Sequence, residues 1–313
     1  MEKKISVIIP MYNEQEVIKE CYKRLINILN ANEKYCYEII CVNDGSTDDT
    51  GKILEEISKS DRNFKILSFS RNFGHQAAVT AGLKHSSGDA VVIIDADLQD
   101  PPELIPDMLE LWESGYEVIY GKRKSRDGES PFKLFTAKMF YKTLNAFSDV
   151  DIPIDTGDFR LVDRKVVDTI NELPEHNKFL RGLFSWVGYK QIPFEYQRKK
   201  RYAGKTKYPL TKMLKLARDG IISFSNKPLR IVGEMGILSI FISIILIIYA
   251  FVSYFLELNS LSAGWTSLMV GITFFAGVQL LSLWIMSEYV GKVYDEVKQR
   301  PQYIIRQKVN FEK

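Results

Sequence analysis

The chain has 313 residues, of which 46% are apolar and 26% charged, enough for one sizeable globular domain and a smaller part. A formal net charge of +3 is too small to indicate nucleic-acid binding. The three cysteines, Cys21, Cys36 and Cys41, show neither metal-ligand spacing nor a disulfide framework, which is typical of a reducing compartment. The apolar stretch at the N-terminus is too short for a signal peptide, so we expect the first domain to lie in the cytoplasm.

Short β-branched runs alternate with amphipathic stretches from residue 5 to about residue 121. The runs predicted as strands lie at 5–9, 38–42, 64–69, 90–94 and 117–120. This alternation predicts an α/β fold with a mostly parallel central sheet covered by helices. No Gly-x-Gly-x-x-Gly follows the first strand, so a dinucleotide-binding site is not expected.

An acidic segment, Asp95-Ala-Asp-Leu-Gln-Asp-Pro-Pro102, ends the fourth apolar run. In an extended segment Asp95 and Asp97 point to the same side, and the small Ala96 between them leaves room for a ligand. Mg²⁺ or Mn²⁺ is commonly held by one or two carboxylates together with substrate phosphates, and ligands bind at the carboxyl ends of parallel strands. The same residues also fit an acidic loop in which Asp100 caps a helix beginning at Pro102.

A second acidic loop follows the second predicted strand, in the segment Val42-Asn-Asp-Gly-Ser-Thr-Asp48. Asp44 is placed to accept hydrogen bonds from a nucleotide base. The alternative for this loop is a local one, in which Ser46, Thr47 or Asp48 caps the next helix.

Two long apolar stretches near the C-terminus, 235–256 and 258–287, contain no charged residue. Each is long enough to cross a bilayer as a helix. Lys and Arg flank the pair on its two outer sides, and the turn between the stretches has neither. The positive-inside bias therefore predicts a transmembrane hairpin with both termini in the cytoplasm. A buried helical hairpin of a soluble protein is the alternative.

Apolar residues at helical spacing between 210 and 224 predict an interfacial amphipathic helix before the hairpin. A further segment, 132–142, mixes aromatic residues with lysines and fits either lipid contact or packing on the sheet. We therefore predict a cytoplasmic α/β domain at 1–208, an interfacial helix at 209–229, two transmembrane helices at 230–290 and a cytoplasmic tail at 291–313.

Six motifs occur in order along the chain. They are Val7-Ile-Ile-Pro-Met-Tyr-Asn-Glu14, Val42-Asn-Asp-Gly-Ser-Thr-Asp48, Ser70-Arg-Asn-Phe-Gly-His75, Asp95-Ala-Asp-Leu-Gln-Asp-Pro-Pro102, Asp155-Thr-Gly-Asp-Phe-Arg160 and Arg201-Tyr-Ala-Gly-Lys-Thr-Lys-Tyr208. Together with the hairpin they resemble the family 2 glycosyltransferases of GT-A fold that act on polyprenyl phosphate. The resemblance is to bactoprenol glucosyltransferases in particular and, more distantly, to dolichyl-phosphate mannose synthases.

The resemblance implies a role for each matching residue. Those implied to bind the nucleotide sugar are Pro10, Tyr12, Glu14, Asp44, Asp95, Ala96 and Asp97. The implied ligands of Mg²⁺ or Mn²⁺ are Asp95, Asp97 and Gln99. Asp158 matches the catalytic position, and the cations implied to hold acceptor or diphosphate oxygens are Arg123, Arg201, Lys205 and Lys207. A planar guanidinium suits this task because it binds phosphate through two parallel hydrogen bonds.

The implied reaction is transfer of a sugar from a UDP-sugar to undecaprenyl phosphate, with inversion, at the cytoplasmic face of the membrane. UDP-glucose is the expected donor and UDP-N-acetylglucosamine its rival. A lipid phosphate already carries an oxyanion, so we hypothesise that Asp158 positions groups, with base catalysis as the alternative role. A hydroxyl-acceptor glycosyltransferase and a non-catalytic nucleotide-sugar-binding protein are the competing functions.

The implied partners are membrane lipids, a separate flippase and a downstream glycosyltransferase that modifies a cell-envelope glycan. Homo-oligomers could form through glycines in the hairpin. Processive polysaccharide synthases carry a Gln-x-x-Arg-Trp motif. No tryptophan in this chain follows an arginine, so a synthase of that kind is not expected.

Overall fold

The computed structural model describes residues 2–124, 153, 156–176, 178–197, 222, 225–255 and 264–311. Several predictions fall outside these residues: those for Arg201, Lys205, Lys207 and the segment 132–142. Of the predicted interfacial helix, only 222 and 225–229 are described.

The centre of the fold is an eight-stranded sheet. Its strands are β1 (Lys3–Met11), β2 (Tyr35–Asn43), β3 (Phe64–Phe69), β4 (Ala90–Ile93), β5 (Val118–Arg123), β6 (Thr156–Asp163), β7 (Gln191–Tyr196) and β8 (Ile305–Val309). They lie in the order β7-β5-β6-β4-β1-β2-β3-β8. All five strands predicted from the sequence are confirmed, and so is the α/β class with a mostly parallel sheet.

The sheet combines a parallel centre with antiparallel insertions. β1 pairs in parallel with β2 and β4, and β2 in parallel with β3. β6 runs antiparallel between β4 and β5, and β8 runs antiparallel along β3 at the edge. The central strands are continuous apolar runs because helices cover both of their faces.

The described helices are α1 (Ile18–Ala31), α2 (Thr50–Ser60), α3 (His75–His85), α4 (Ile105–Glu113), α5 (Arg164–Glu172), α6 (Leu180–Trp186), α7 (Lys227–Phe255) and α8 (Trp265–Val297), with a short 3-10 turn at Pro102–Leu104. α1 and α4 cover the face on which Ile5, Val7 and Ile9 lie, and α3, α5 and α6 cover the face of Ile8. α3 lies very close to β1 at Gly82, where a Cβ atom would come within 2.3 Å of Ile8 Cγ2.

The C-terminal helices α7 and α8 are long enough and apolar enough to cross a membrane. The candidate spans are Lys227–Leu246 and Val270–Val297, with mean hydropathy 2.0 and 1.7. In the described part of the chain, no residue of the most apolar stretch of either span is buried. In a buried hairpin of a soluble protein, most of these residues would be buried. These helices match the predicted transmembrane pair.

After α8 the chain returns to the sheet. β8 pairs with β3, and Tyr303 stacks on Phe69 with ring centroids 5.0 Å apart. The Asn310 side-chain amide donates to the carbonyl oxygens of Ser58, Asp61 and Phe64 at 2.8, 3.2 and 2.8 Å. Part of the segment predicted as a tail is therefore an edge strand, and a short connection joins the second apolar helix to the central sheet.

Candidate active site

The loops that follow β1 and β2 are bound to each other at the carboxyl edge of the sheet. The Asn13 amide donates to Ser46 Oγ at 3.0 Å, and the Thr47 amide donates to Asn13 Oδ1 at 2.8 Å. Asn13 adopts a left-handed conformation (φ 53°), which asparagine tolerates better than most residues. These bonds fix the first predicted nucleotide loop before any ligand arrives.

The residues predicted in that loop differ in their exposure. Tyr12 is 37% exposed, whereas Pro10 is buried inside β1 opposite Val42. The Glu14 amide donates to Thr50 Oγ1 at 2.9 Å, which fastens the loop to the start of α2. Of the three, Tyr12 is therefore the most exposed, and Pro10 shapes the strand end beneath it; their contact with a nucleotide stays a prediction.

Asp44 follows β2 and is almost completely buried. Its Oδ1 accepts from the Phe73 amide at 2.7 Å and its Oδ2 from the Gly74 amide at 2.9 Å. Burial raises the pKa of this carboxyl group, although the two amide bonds oppose the shift. Asp44 thus positions the loop that leads into α3, and its contact with a nucleotide base stays a prediction.

The neighbouring Gly45 allows this loop packing. It has a φ of +65°, and a Cβ atom there would lie 2.3 Å from the carbonyl carbon of Arg71. No other residue fits, because both the backbone conformation and the available space exclude a side chain.

The acidic loop after β4 presents Asp95 and Asp97 at the same edge. Asp97 is 8% exposed, and its Oδ1 accepts from the Gln99 amide at 3.1 Å. Leu98, between Asp97 and Gln99, has a φ of 58°, an unusual conformation for a buried leucine, at a cost of about 1–2 kcal/mol. The turn at Leu98 brings the Gln99 amide to the Asp97 carboxylate, and strained residues of this kind cluster at functional sites.

The electrostatics of the loop suit a divalent cation. The pKa of Asp95 is raised to about 6, first by burial and then by the carboxylates of Asp158, Asp100 and Asp97, while His75 lowers it. Among the described residues no group of three or more His, Cys, Asp or Glu could hold a metal ion. A pair of hard oxygen donors with excess negative charge fits a cation that shares its remaining ligands with a diphosphate.

Asp100 does not cap the following helix, as one interpretation of the sequence allowed. It is fully buried, and its Oδ1 accepts a hydrogen bond from the Tyr196 hydroxyl group. Pro101 instead precedes the first turn, without a side-chain cap.

Asp158 lies at the beginning of β6, where the antiparallel register brings it next to the acidic loop. Ile93 pairs with Arg160, so the residues preceding Arg160 face those following Ile93. Arg181 on α6 donates from Nε to Asp158 Oδ1 at 2.7 Å and from Nη2 to Oδ2 at 2.9 Å. His75 Nε2 lies 3.0 Å from Asp158 Oδ2 and 3.8 Å from Asp95 Oδ1, so it links the two acids.

The cluster formed by Asp158, Arg181, His75 and Asp95 controls the charge of its members. Burial acts to raise the pKa of Asp158, but Arg181 and then His75 outweigh it and hold that pKa well below its usual range. Burial acts to lower the pKa of His75, but Asp158 and Asp95 raise it to about 9. Asp158 is therefore an ionised, fully engaged carboxylate at neutral pH.

Two further guanidinium groups approach the same strand end. Gly157 leaves space for Arg123, whose Nη2 atom would lie 2.8 Å from a Cβ atom at that position. Arg160 is buried, donates from Nη2 to the Gly157 carbonyl group at 3.1 Å, and lies 4.4 Å from the centroid of the Phe184 ring. Arg123, Arg160 and Arg181 thus surround the segment that carries Asp158.

The structure brings together most of the described residues predicted for the site. Two members of the cluster were missed as functional residues. His75 ends one of the six motifs, so the sequence held a signal for it. Arg181 lies on a short helix outside every motif, and only the folded structure places it at the site.

Comparisons with known proteins agree with the motifs. The profile described as Glycosyl transferase family 2 matches residues 6–170. YkcC of Bacillus subtilis, an uncharacterized glycosyltransferase, is 51% identical over 309 residues, covering 98% of this chain and 94% of that protein. The bactoprenol glucosyl transferase of Shigella phage SfII is 42% identical over 303 residues, covering 97% of both chains. The resemblance predicted from the sequence is confirmed.

A solved structure shows the same fold. The glucosyl-3-phosphoglycerate synthase of Mycobacterium tuberculosis, in complex with Mn²⁺, UDP and phosphoglyceric acid, superposes with a TM-score of 0.50 at 19% identity. The match covers 70% of this chain and 76% of that chain. At this identity the similarity establishes the GT-A-like architecture.

Proposed function

The chain belongs to glycosyltransferase family 2, and from this membership we propose that it transfers a sugar from a UDP-sugar to a polyprenyl phosphate, with inversion at the anomeric carbon. UDP-glucose is the proposed donor. The observation that carries the proposal is the division of charge in the site, where an acidic loop lies next to a strand end surrounded by arginines. The relative from Shigella phage SfII, named a bactoprenol glucosyl transferase, supports the acceptor class.

The acidic loop is the proposed donor side. Asp95 and Asp97, with Gln99 close by, would hold Mg²⁺ or Mn²⁺, which neutralises the charge that develops on the leaving diphosphate when it is bound. Tyr12 and the fastened loops around Asn13 and Ser46 then position the nucleotide without further ordering. A preorganised site of this kind lowers the entropic cost of reaching the transition state.

The arginine-rich side is the proposed acceptor side. A phosphate monoester has a second pKa of about 6, so its oxygen is already a nucleophile at neutral pH and needs no general base. Asp158 suits this chemistry, because a carboxylate with a depressed pKa and both oxygens bonded is a poor proton acceptor. We assign it a positioning role.

The apolar helices support a site at the membrane surface. A polyprenyl chain stays in the bilayer, so its phosphate must meet the enzyme at the level of the lipid headgroups. A short connection joins α8 to the strand β8, which pairs with β3, so a membrane-embedded α8 would keep the sheet close to the membrane surface. We propose that both termini lie in the cytoplasm. Two helices enclose no pore, so a separate flippase and a downstream glycosyltransferase would handle the product.

The experiment is sugar transfer into organic-extractable lipid. Full-length purified protein receives undecaprenyl phosphate, Mg²⁺ or Mn²⁺, and one radiolabelled donor at a time from a panel of UDP- and GDP-sugars. Label in the lipid with UDP-glucose supports the whole proposal, and label with UDP-N-acetylglucosamine alone corrects the donor. Asp97→Ala is the control and should abolish transfer. If no donor labels the lipid while UDP still binds, the proposal fails.

A further inference from the structure

The second apolar helix, α8, contacts the connection between α5 and α6. Of this connection, residues 173–176, 178 and 179 are described. The His176 backbone amide donates to both carboxylate oxygens of Glu296, at 3.1 Å to Oε1 and 2.9 Å to Oε2. Both ring nitrogens of His176 are buried, so this part of the connection packs against the protein. A charged acceptor makes such a bond stronger than one between neutral groups.

The same connection leads directly to the candidate active site. Lys178 is buried, and its Nζ atom donates to two carbonyl groups in the last turn of α5. The Leu180 amide, at the start of α6, donates to Gln76 Oε1 at 3.1 Å. Arg181 then donates to both oxygens of Asp158. The contact with α8 and the contact with Asp158 are therefore five positions apart on one short segment that is fastened along its length.

α8 has a second attachment to the α/β domain, at the strand β3. The Ser70 amide, directly after β3, donates to the Ile304 carbonyl oxygen at 3.0 Å. Ile305 at the start of β8 pairs with Phe69, the last residue of β3. A single attachment leaves a domain free to turn about its anchor, whereas a second attachment on a different element restricts that rotation. The bond between His176 and Glu296 is this second attachment.

The position of Glu296 along α8 sets the height of the contact above the bilayer. The second charge-free stretch ends at residue 287, and Glu296 follows nine residues later. An α-helix rises by about 1.5 Å per residue, so Glu296 lies about 14 Å beyond the apolar stretch. The headgroup region on each side of a bilayer is roughly 5–8 Å thick. Glu296 therefore holds the connection just outside the headgroups of a membrane that α8 spans.

We propose that Glu296 is a positioning residue for the lipid acceptor. By holding the His176 amide, it fixes the connection between α5 and α6, and with it the pair of Arg181 and Asp158, relative to the cytoplasmic end of α8. The inference rests on the proposed function and adds to it the contact that orients the site toward a phosphate whose chain stays in the bilayer. The fraction of molecules in this orientation then sets the apparent affinity for the lipid.

The test measures donor and acceptor separately, with full-length protein in lipid vesicles that contain undecaprenyl phosphate. Glu296→Ala should raise the apparent KM for undecaprenyl phosphate by about threefold to tenfold, the range expected for losing one hydrogen bond. The kcat at saturating acceptor should stay at the wild-type value, because a smaller competent fraction lowers apparent affinity alone. The Kd for UDP, measured by calorimetry with Mn²⁺, should also be unchanged.

Asp295→Ala is the matched control. Asp295 is the exposed acidic neighbour of Glu296 on the same helix, so its loss changes the charge near the membrane equally but leaves the bond to the His176 amide in place. Its KM should equal that of the wild type. Glu296→Gln retains one carbonyl oxygen that can accept from the amide, and its KM should lie between those of the wild type and Glu296→Ala.

The other side of the contact is tested through the backbone of His176. His176→Pro removes the N–H group, and His176→Ala keeps it while removing the ring. The proline variant should raise the KM as Glu296→Ala does, and the alanine variant should not. The double variant of His176→Pro and Glu296→Ala should be no worse than the weaker of the two single variants, because both break one bond.

Hydrogen exchange of the segment 173–181, followed by mass spectrometry, reports the contact without any substrate. Exchange should be faster in Glu296→Ala than in the wild type and unchanged in Asp295→Ala. An unchanged KM in Glu296→Ala overturns the inference, as does an equal rise in Asp295→Ala, a loss of kcat with a normal KM, or weaker UDP binding. If Glu296→Ala fails to fold, Glu296→Gln decides by the same criteria. Absence of lipid product from the wild type, with normal exchange, would instead show that the proposed function itself is wrong.

Discussion

A buried glutamate far from the active site gives the sharpest stability prediction. Glu38 on β2 is 1% exposed. Its Oε1 accepts from Ser6 Oγ at 2.6 Å and from the Ser87 amide at 2.7 Å, and its Oε2 lies 2.7 Å from Lys65 Nζ and 3.1 Å from Lys4 Nζ. One carboxylate therefore joins three adjacent strands and the loop before β4.

The size of the stabilisation that Glu38 provides follows from the pKa of its carboxyl group. Burial acts to raise the pKa of Glu38, but Lys65, Ser6, Ser87 and Lys4 together outweigh it and lower it from 4.5 to about 2. Because the folded pKa lies below the unfolded one, the stabilisation is fully present above pH 4.5 and is lost as the pH falls through about 2. This difference in pKa corresponds to about 3 kcal/mol of the free energy of unfolding at neutral pH.

Glu38→Gln should therefore lower the free energy of unfolding by about 3 kcal/mol at pH 7.5, in line with the cost of breaking a buried ion pair. In a domain of this size the midpoint of thermal unfolding should fall by about 6–12 °C. The assay is tryptophan fluorescence of the full-length protein in detergent at pH 7.5 and pH 3. The difference in the free energy of unfolding between the wild type and the variant should shrink to roughly half at pH 3.

Glu55→Gln is the control, because Glu55 is exposed on α2 and should unfold like the wild type at both values of pH. A Glu38→Gln protein as stable as the wild type at pH 7.5, or a difference that does not narrow at pH 3, would refute the reasoning.

Three further changes test the loops and the C-terminal strand. Gly45→Ala should abolish UDP binding in calorimetry, because its Cβ atom would lie 2.3 Å from the Arg71 backbone; wild-type affinity would contradict the packing described for this loop. Asn310→Ala should lower the unfolding midpoint at a cost of about 1–3 kcal/mol, and Asn310→Asp should lower it further, because a carboxylate would face three carbonyl oxygens. Asp97→Asn should remove the Mn²⁺ dependence of UDP binding in the same calorimetric assay; an unchanged metal response would exclude Asp97 as a ligand.

The sequence predicted the parallel half of the fold well, for a physical reason. Strands buried on both faces are continuous apolar runs, so β1 to β5 stand out in the residues alone. β6 does not, because the site requires Asp158 and Arg160 inside a buried strand. β8 is short and follows a long apolar helix, and its pairing with β3 depends on contacts distant in sequence.

The candidate site shows the same division. Asp95, Asp97 and Asp158 were predicted because motifs mark them, and the antiparallel register of β6 explains why they meet. The role of Asp44 could not be foreseen in full, since its bonds to Phe73 and Gly74 arise from a neighbouring loop. Arg181 was missed because nothing local marks it, and α6 brings it to Asp158 only in the folded chain.

The most direct test of the central claim compares two acceptors that differ in one group. Purified full-length protein with Mn²⁺ and the active UDP-sugar is given either undecaprenyl phosphate or undecaprenol, and the labelled lipid is quantified. We predict product with the phosphate and none with the alcohol, because the described part of the site supplies guanidinium groups for an anion, whereas Asp158 has a depressed pKa and both of its oxygens bonded and is a poor base for an alcohol. Equal transfer to the alcohol would contradict the account and identify a hydroxyl-acceptor glycosyltransferase.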